Sequence, residues 1–592
     1  MSGFAVHLDF GAPFEPDRLT AVTRAIASRG QDRQAVRSAG PCTLMHAAQW
    51  TTSEAEHEDQ PQRHVTRDLW LAADARVDNR ADLAEALSSS TEQPLRTDAD
   101  FILASYERWG ADLVNHVVGD FAFALWDGER EQLLVARDPF GIRPVFLART
   151  HGGLLAASTL PAVLAGIAGE RSIDESYLAH FLHGLPPRDR SIWAGVERLP
   201  PGHLRIVDRE RDVTEQYWSP SLEPLVQPLE ATIEQIRSCF DEAVRCRLRT
   251  RDGVATDLSG GLDSSTIAAT AARLTTGVRP ISLAYRIDPE AFEMPYIQAV
   301  IDHLGLDAHV IEADELATLD PVVDIRAHRE PLYAVDVSDT GARFDAALSL
   351  GCSVSLAGVG GDEALYGSSD GRLDHLRQSL RNTALRWVAG HPDGLLAQGL
   401  RVRRARRARR DRPWLRVPYQ QWAGRVPPYG QRLGAERLAA YDSPWQSAAL
   451  ELTDRVAAER GVEVRYPFLD RRLVEMCLRL PEAQVKDDDR TRGLHRRAFG
   501  PRLPLLVALR TDKADLTGSF VRRMDAAVSL EDVQGALAAL GDRVDPGPLT
   551  TRSRSTARGE PPPWYRWTAI SAGLFLTHVF EGRPRLRSDT IA

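Results

Sequence analysis

The sequence lacks the features that mark membrane, secreted and nucleic-acid-binding proteins. Its longest apolar-leaning stretches, near residues 154–168 and 567–580, are too short or too mixed to span a bilayer. The first residues, MSGFAVHLDFGAPFEPD, contain neither the basic segment nor the long apolar stretch of a signal peptide. The formal net charge of −9 argues against a general attraction to nucleic acid. We therefore expect a soluble cytoplasmic protein with no membrane and no nucleic acid among its partners.

Cysteine is also scarce, with 5 residues in a chain of 592. None of them stands in C-x-x-C or zinc-ligand spacing, so the sequence predicts neither a disulfide framework nor a zinc site. The hydrophobic content of 43% and the charged content of 26% are those of an ordinary globular protein. A chain of this length exceeds what one hydrophobic core supports, and we expect at least two domains.

The pattern of secondary structure changes once along the chain. Residues 1–218 contain short alternating runs, such as FAFALWD and QLLVARD, which predict a mainly antiparallel β domain with a few helices. The proline-punctuated segment 219–228 predicts a linker. Residues 229–592 begin with helices alternating with strands, which predicts a parallel doubly wound sheet, and become mostly helical from about residue 363. The strands of this second domain are predicted at 254–258, 280–285, 308–312 and 353–357.

The most informative segment is SGGLDSS, residues 259–265, which lies between a predicted strand and an Ala-rich predicted helix. Its glycines let backbone N–H groups approach phosphate oxygens, its serines add donors, and the helix N-terminus favours negative charge. Asp263 would repel a bare phosphate, but it is well placed to hold Mg²⁺ against phosphates. The segment has neither the spacing nor the lysine of the G-x-x-x-x-G-K-[ST] loop. It predicts a different kind of phosphate site, with a metal.

A second glycine turn, GVGGDE at residues 358–363, directly follows the predicted strand 353–357. Ligands of open α/β sheets collect at the carboxyl ends of strands, where both turns would lie. Asp362 would then supply a second carboxylate to the metal held by Asp263. Cleavage of a phosphate bond builds negative charge that cations must meet, and Lys513, followed by Arg492, is the preferred candidate.

An arginine-rich segment, RVRRARRARRDR at 401–412, is the one low-complexity stretch. The simplest interpretation is a solvated helix or a disordered insertion. Docking of an acidic peptide or a partner protein is an alternative. Weak nucleic-acid contact is a third interpretation, but the segment lacks interleaved aromatic residues that could stack on bases.

Several motifs together resemble one enzyme family. SGGLDSS resembles the pyrophosphate-binding loop of enzymes that cleave ATP to AMP and pyrophosphate. With the GxGGDE turn and EVRYPFLDRRLVE at 463–475, it resembles the PP-loop, adenine nucleotide alpha hydrolase-like synthetase domain of asparagine synthetase and its relatives. GDFAFALWD at 119–127 and ARDPFGIRPVFL at 136–147 resemble the family's glutamine amidotransferase domain, an α+β fold of the N-terminal nucleophile hydrolase type.

The resemblance implies a role for individual residues. It implies ATP and Mg²⁺ as cofactors, with the metal on Asp263 and Asp362 and with Lys513 and Arg492 stabilising developing charge. The residues expected near pyrophosphate and adenosine are Leu258, Ser259, Gly260, Gly261, Asp263, Ser264, Ser265, Tyr285, Gly358 and Gly360.

Departures from the family pattern bear on the nitrogen donor. The family's nucleophilic cysteine is replaced by Ser2, and its glutamine-reading Asn-Gly-Glu is replaced by Asp74-Ala75-Arg76, although Asp98 is kept. Nucleophile and amide-reading residues are thus lost together, and we expect no glutaminase activity. The N-terminal domain is then a degenerate amidotransferase domain that serves as a structural remnant or a docking surface.

Without glutamine-derived ammonia, the attacking amine must belong to the substrate. β-Lactam synthetases and the macrolactam cyclases of lasso peptides both work in this way. Val359 stands where asparagine synthetase has Glu and β-lactam synthetase has Tyr, and valine cannot take a proton or position an amine. A peptide α-amine, with an ordinary pKa of about 8, keeps a useful neutral fraction at neutral pH. The segment DKADLTGSF at 512–520 and the chain length also resemble lasso cyclases.

The sequence therefore predicts an AMP-forming, ATP-dependent ligase that closes a macrolactam. The side chain of an Asp or Glu in a core peptide is adenylated, and the N-terminal amine displaces AMP. The expected partners are a leader-processed precursor peptide, a leader peptidase and a precursor recognition protein. The alternatives are a β-lactam or other small-molecule amide synthetase, a glutamine-independent asparagine synthetase-like enzyme, and a non-catalytic protein that binds through the arginine-rich segment.

Overall fold

The computed structural model describes residues 1–335, 337–365, 414–416, 419, 438, 440–441, 443–485, 492–550 and 563–580. The arginine-rich segment 401–412 lies outside the described residues. Within these ranges, no helix is both long enough and apolar enough to cross a membrane.

The first domain contains two six-stranded antiparallel sheets. The twelve strands are β1 (Gly3–Asp9), β2 (Arg33–Ala39), β3 (Cys42–Ala48), β4 (Gln62–Arg63), β5 (Leu69–Val77), β6 (Gly119–Asp127), β7 (Gln132–Arg137), β8 (Phe146–Arg149), β9 (Gly153–Ala157), β10 (Val196–Arg198), β11 (His203–Val207) and β12 (Asp212–Gln216). The strand order is β10-β8-β9-β1-β3-β2 in one sheet and β12-β11-β7-β6-β5-β4 in the other. This confirms the prediction of a mainly antiparallel domain.

Alternation along the central strands builds the layers of this domain. Phe4 and Val6 of β1 meet Ala124 and Trp126 of β6 in a core between the sheets, while Ala5 faces the opposite side. The outer faces are covered by helices, because strand residues of the other parity are apolar as well. The helices of this domain are Pro16–Ile26, Arg80–Leu87, Asp98–Trp109, Leu113–His116, Leu160–Gly166 and Glu175–Leu182.

The second domain is built on a five-stranded parallel sheet. Its strands are β13 (Gly253–Asp257), β14 (Arg279–Ala284), β15 (His309–Glu312), β16 (Cys352–Leu356) and β17 (Glu463–Arg465), in the order β15-β14-β13-β16-β17. Every neighbouring pair in this sheet is parallel. The doubly wound PP-loop fold is thus confirmed, and the four predicted strands lie within one residue of their expected positions.

Helices surround this sheet and make up most of the remaining described chain, as predicted. They are Leu229–Arg247, Leu262–Leu274, Met294–Leu304, Pro321–His328, Val337–Ser349, Gly361–Leu365, Pro444–Arg460, Arg471–Leu478, Glu482–Val485, Gly493–Phe499, Leu505–Ala508, Thr517–Ala527, Leu530–Leu540, Gly547–Thr550 and Pro563–His578. Residues 219–228 form neither helix nor strand, and the backbone N–H of Leu225 donates to the carbonyl of Arg479 at 2.7 Å.

Candidate active site

The first glycine turn follows β13 and leads into the helix Leu262–Leu274. Gly260 has a φ of +71°, and a Cβ there would lie 2.6 Å from the Cβ of Tyr296, so the turn requires glycine. The backbone N–H of Ser259 donates to Ser264 Oγ at 3.1 Å, and the two serine hydroxyls are 3.0 Å apart. These bonds close the turn that the sequence predicted as a phosphate cradle.

Two of the predicted ligand residues are buried beneath this turn. Leu258 packs in the apolar core of the domain, and its carbonyl accepts a hydrogen bond from Ser282 Oγ at 2.7 Å. Ser265 is fully buried, and its hydroxyl has no hydrogen-bond partner among the described residues. At the surface of the turn, Ser259 is exposed and Gly261 is partly exposed, whereas Gly260 and Ser264 are buried.

The second glycine turn contacts the first, as expected for neighbouring strand ends. A Cβ on Gly361 would lie 2.2 Å from Asp263 Oδ1, and one on Gly358 would lie 3.3 Å from the backbone nitrogen of Ser264. Gly360 has a φ of +95°, and its missing Cβ leaves room for Leu469. The close approach of the two turns thus depends on the absence of side chains at these glycines.

The two predicted metal carboxylates and the two predicted cations form one cluster. Arg492 Nη1 lies 2.8 Å from Asp263 Oδ2 and 3.0 Å from Asp362 Oδ1, and Arg492 Nη2 donates to the other oxygen of Asp263. Lys513 Nζ donates to Asp362 Oδ2 at 2.9 Å. Asp263, Asp362, Arg492 and Lys513 therefore share one site at the ends of β13 and β16.

The electrostatic environments of the two carboxylates differ. Burial raises the pKa of Asp263 above its usual value, although Arg492 opposes this effect. Burial also acts to raise the pKa of Asp362, but Arg492 and Lys513 outweigh it and hold that pKa below its usual value. The hydrogen bond to Asp362 raises the pKa of Lys513. Both basic residues therefore carry their positive charge into the site.

The donor set of this cluster fits Mg²⁺. Magnesium in nucleotide sites is held by one or two carboxylates together with substrate phosphate oxygens, and Asp263 and Asp362 supply such a pair. Elsewhere among the described residues, Asp78, Cys246 and Asp470 also bring three potential ligand atoms together. Arg247 lies against that group, with its Nη1 2.8 Å from Asp470 and 3.4 Å from Asp78. The guanidinium thus pairs with both carboxylates where a metal would otherwise be needed to balance their charge.

Arg492 is held by more than the carboxylates. Its backbone has a φ of +61°, and Nη2 lies 3.0 Å from the carbonyl oxygen of Gly361 and 3.0 Å from His495 Nδ1. His495 is fully buried, and its Nε2 lies 2.9 Å from Thr266 Oγ1. Burial and the neighbouring Arg492 keep the pKa of His495 well below 6.5. No sequence pattern pointed to His495, because its partners become neighbours only through the fold.

Tyr285 and Val359 occupy different surroundings. Tyr285, predicted near adenosine, is buried just beyond β14, and its hydroxyl donates to Asp339 Oδ2 at 2.7 Å. Asp339 is also paired with Arg523. Val359 is 40% exposed within the second turn. The second turn thus presents an apolar side chain to solvent, three residues before Asp362.

The EVRYPFLD motif, residues 463–470, lies between the glycine turns and the first domain. Phe468 and Leu469 pack under Gly360 of the second turn. Glu463, in β17, is buried and faces the first domain, where it accepts hydrogen bonds from Thr51 Oγ1 at 2.6 Å and Arg143 Nη2 at 2.8 Å. Glu463 therefore belongs to the interface between the domains.

The residues that stand in the family's glutamine pocket also belong to this interface. Asp74 accepts from the Ser2 backbone N–H at 3.0 Å and from Arg29 Nη2 at 3.2 Å, and Arg29 Nη1 continues to Asp454 of the second domain at 2.6 Å. Arg76 Nη1 donates to Glu463 at 3.2 Å.

Asp98, which the chain shares with the family pattern, is engaged in the same way. It accepts from Arg249 Nη2 of the second domain at 2.8 Å and from Arg80 Nε at 2.9 Å. Its carboxylate is therefore bound by two guanidinium groups, of which that of Arg249 crosses the domain interface.

Comparison with known proteins places this architecture in one family. The glutamine amidotransferase domain model matches residues 1–218, and the asparagine synthase model matches residues 235–532. Asparagine synthetase [glutamine-hydrolyzing] 3 of Bacillus subtilis is 26% identical over 450 residues, which cover 72% of each chain. A putative asparagine synthetase [glutamine-hydrolyzing] of Mycobacterium tuberculosis is 27% identical over 500 residues, covering 76% of this chain and 74% of that protein. Amidase chyE of Penicillium rubens is 29% identical over 307 residues, covering 48% of this chain and 44% of that protein. The chain belongs to the asparagine synthase family of ATP-dependent, amide-forming ligases and carries the family's glutamine amidotransferase domain.

Proposed function

We propose that the protein closes a macrolactam in lasso peptide biosynthesis, using an amine of the substrate in place of glutamine-derived ammonia. The observation that carries this proposal is the use of the glutamine-pocket positions. Asp74, Arg76 and Asp98 are all bound in ion pairs at the domain interface, where they cannot read a glutamine amide. Ser2 Oγ accepts a hydrogen bond from the backbone N–H of Gln49 at 3.1 Å, and no base is bonded to it among the described residues.

The activation step consumes ATP at the two glycine turns. The carboxylate of an Asp or Glu side chain in the peptide attacks the α-phosphorus, the bond to the β-phosphate oxygen breaks, and pyrophosphate leaves. Asp263 and Asp362 would hold Mg²⁺, which offsets phosphate charge when bound. Arg492 and Lys513 lie beside these carboxylates, where they can meet the charge that grows on pyrophosphate. The peptide is left as an acyl adenylate.

The ring-closing step needs an amine that is already neutral. The peptide's N-terminal amine attacks the acyl carbon, AMP leaves, and the amine loses a proton as the amide forms. Val359 offers no group to accept that proton. A peptide α-amine, with an ordinary pKa of about 8, is partly neutral at neutral pH and does not depend on such a group. Because one site holds both ends of the peptide, the effective concentration of the amine at the acyl adenylate is high, and the amine outcompetes water.

The proposed reaction also requires partner molecules and a place in the cell. A leader-processed precursor peptide is the substrate, and a leader peptidase and a precursor recognition protein deliver it in the cytoplasm. The segment 401–412, with its dense positive charge, is the proposed docking element for an acidic partner.

The test is a reaction of the purified protein with ATP, Mg²⁺ and a leader-free peptide encoded near the gene. We expect one AMP for each peptide cyclised, and a product that mass spectrometry finds lighter by one water. The same peptide acetylated at its N-terminus keeps the carboxylate but loses the nucleophile, and it should not cyclise. Parallel reactions contain aspartate with glutamine or ammonia, or a β-amino acid. An amide product from any of these, with no cyclised peptide, would replace the proposal by a small-molecule synthetase.

A further inference from the structure

One nitrogen of the Arg492 guanidinium, Nη2, is surrounded by more hydrogen-bond acceptors than it has hydrogens to donate. Nη2 carries two N–H groups, but it faces Asp263, the carbonyl oxygen of Gly361 at 3.0 Å and His495 Nδ1 at 3.0 Å. One acceptor can therefore leave Nη2 while both N–H groups of that nitrogen stay bonded. Asp263 is the acceptor with another use, because it is also a predicted Mg²⁺ ligand.

The geometry fixes the tautomer of His495. An arginine side chain only donates, so Nδ1 must carry the lone pair, and the ring proton is on Nε2. Nε2–H then donates to Thr266 Oγ1 at 2.9 Å. Both residues are fully buried, and the ring lies against Phe468 and Phe499. The imidazole is thus held by a hydrogen bond on one side and by aromatic packing.

We propose that His495 is a positioning residue that retains Arg492 in the site when Asp263 exchanges its ion pair for Mg²⁺. With Asp263 withdrawn, Nη2 keeps two acceptors for its two hydrogens, Gly361 O and His495 Nδ1. Nη1, in contrast, contacts Asp263 and Asp362. Once Asp263 has turned to Mg²⁺, one N–H of Nη1 is free to donate to a pyrophosphate oxygen. This proposal rests on ATP cleavage at the two turns, and it does not depend on which amine attacks.

Two pairs of variants separate hydrogen bonding from packing. His495→Asn keeps an acceptor oxygen at the position of Nδ1, whereas His495→Phe keeps a ring of similar shape without an acceptor. Thr266→Ser keeps the hydroxyl that receives Nε2–H, whereas Thr266→Val removes it at constant shape. The second pair preserves the test if His495→Phe does not fold. Each variant is measured as the full chain, alone and with Arg492→Ala.

The readouts are the Kd of inorganic pyrophosphate, measured by calorimetry with Mg²⁺ and in EDTA, and the kcat and KM of ATP-dependent pyrophosphate release. With Mg²⁺ present, we expect His495→Phe to weaken pyrophosphate binding and to lower kcat about tenfold, the size of one lost hydrogen bond to a charged group. In EDTA, where Asp263 still holds Arg492, the effect on binding should be smaller. His495→Asn should recover most of this loss, Thr266→Val should fall between wild type and His495→Phe, and Thr266→Ser should match wild type. In the Arg492→Ala background, His495→Phe should have no further effect.

Four results would overturn this role. In the first two, His495→Asn weakens pyrophosphate binding as much as His495→Phe does, or Thr266→Val and Thr266→Ser have the same Kd and kcat. In the other two, His495→Phe has its full effect in the Arg492→Ala background, or the wild type does not bind pyrophosphate. Normal pyrophosphate release without peptide cyclisation would instead reject the macrolactam function and leave the role of His495 standing.

Discussion

Replacement of Glu463 by Gln tests whether the buried charges between the domains stabilise the protein. Glu463 is 4% exposed and lies within 3.2 Å of Arg76, 2.8 Å of Arg143 and 2.7 Å of Arg465. These three guanidinium groups are also buried. They keep the pKa of Glu463 well below its usual value although burial raises it, so the residue is ionised at neutral pH. The amide of Gln has nearly the same shape but removes one negative charge from this cluster.

Removal of one partner from a buried ion pair typically costs about 3–5 kcal/mol, because the remaining charge stays desolvated. We expect Glu463→Gln to lower the free energy of unfolding by an amount in this range, measured by urea denaturation of the full chain. The matched control is Glu312→Gln, which breaks an exposed bidentate pair with Arg286 and should cost about 0–1 kcal/mol. If both substitutions lower the free energy of unfolding by the same small amount, the interface charges are hydrated and do not behave as buried ion pairs.

Three further predictions concern the active site, the N-terminal domain and pH. Asp263→Asn and Asp362→Asn should each abolish ATP-dependent pyrophosphate release, and normal turnover in either would remove that residue from the metal site. Ser2→Ala should leave pyrophosphate release unchanged, since the hydroxyl only accepts a backbone hydrogen bond; a large loss would indicate a working N-terminal site. Burial lowers the pKa of His46 to about 4, so its contribution to stability is complete above pH 6.5 and lost as the pH falls towards 4. Between pH 6.5 and pH 4, the free energy of unfolding of His46→Gln should therefore fall by about 3 kcal/mol less than that of the wild type, as measured by acid denaturation. Parallel plots of unfolding free energy against pH for the two proteins would contradict this pKa.

The sequence specified the second domain well because its signals are local. Each strand from β13 to β16 is a short apolar run that ends at a polar or glycine turn, and the structure places their ends within one residue of the prediction. SGGLDSS and GVGGDE contact each other because parallel strands end at the same edge of a sheet. That rule holds without knowledge of any side-chain contact.

The sequence failed where the relevant partners are distant along the chain. β17 is a three-residue strand, Glu463–Arg465, whose two charged residues resemble surface positions. It is stabilised by pairing with β16 and by ion pairs to residues more than 300 positions away, such as Arg76 and Arg143. Hydrophobic periodicity contains no information on such pairs. His495 was missed for the same reason, since Thr266 lies 229 positions away.

The buried ion pairs also give the first domain a structural role that does not depend on any reaction of its own. Asp454, Glu463 and Arg249 of the second domain all have their opposite charges on the first domain, at Arg29, Arg76 and Asp98. While the two domains remain in contact, each of these buried charges needs its partner, because a buried charge that loses its partner is costly. Substitution of Arg29, Arg76 or Asp98 would therefore destabilise the contact between the domains, whatever the first domain does chemically. Asp74, Arg76 and Asp98, the residues at the positions of the family's glutamine pocket, thus carry charges that belong to the contact between the two domains.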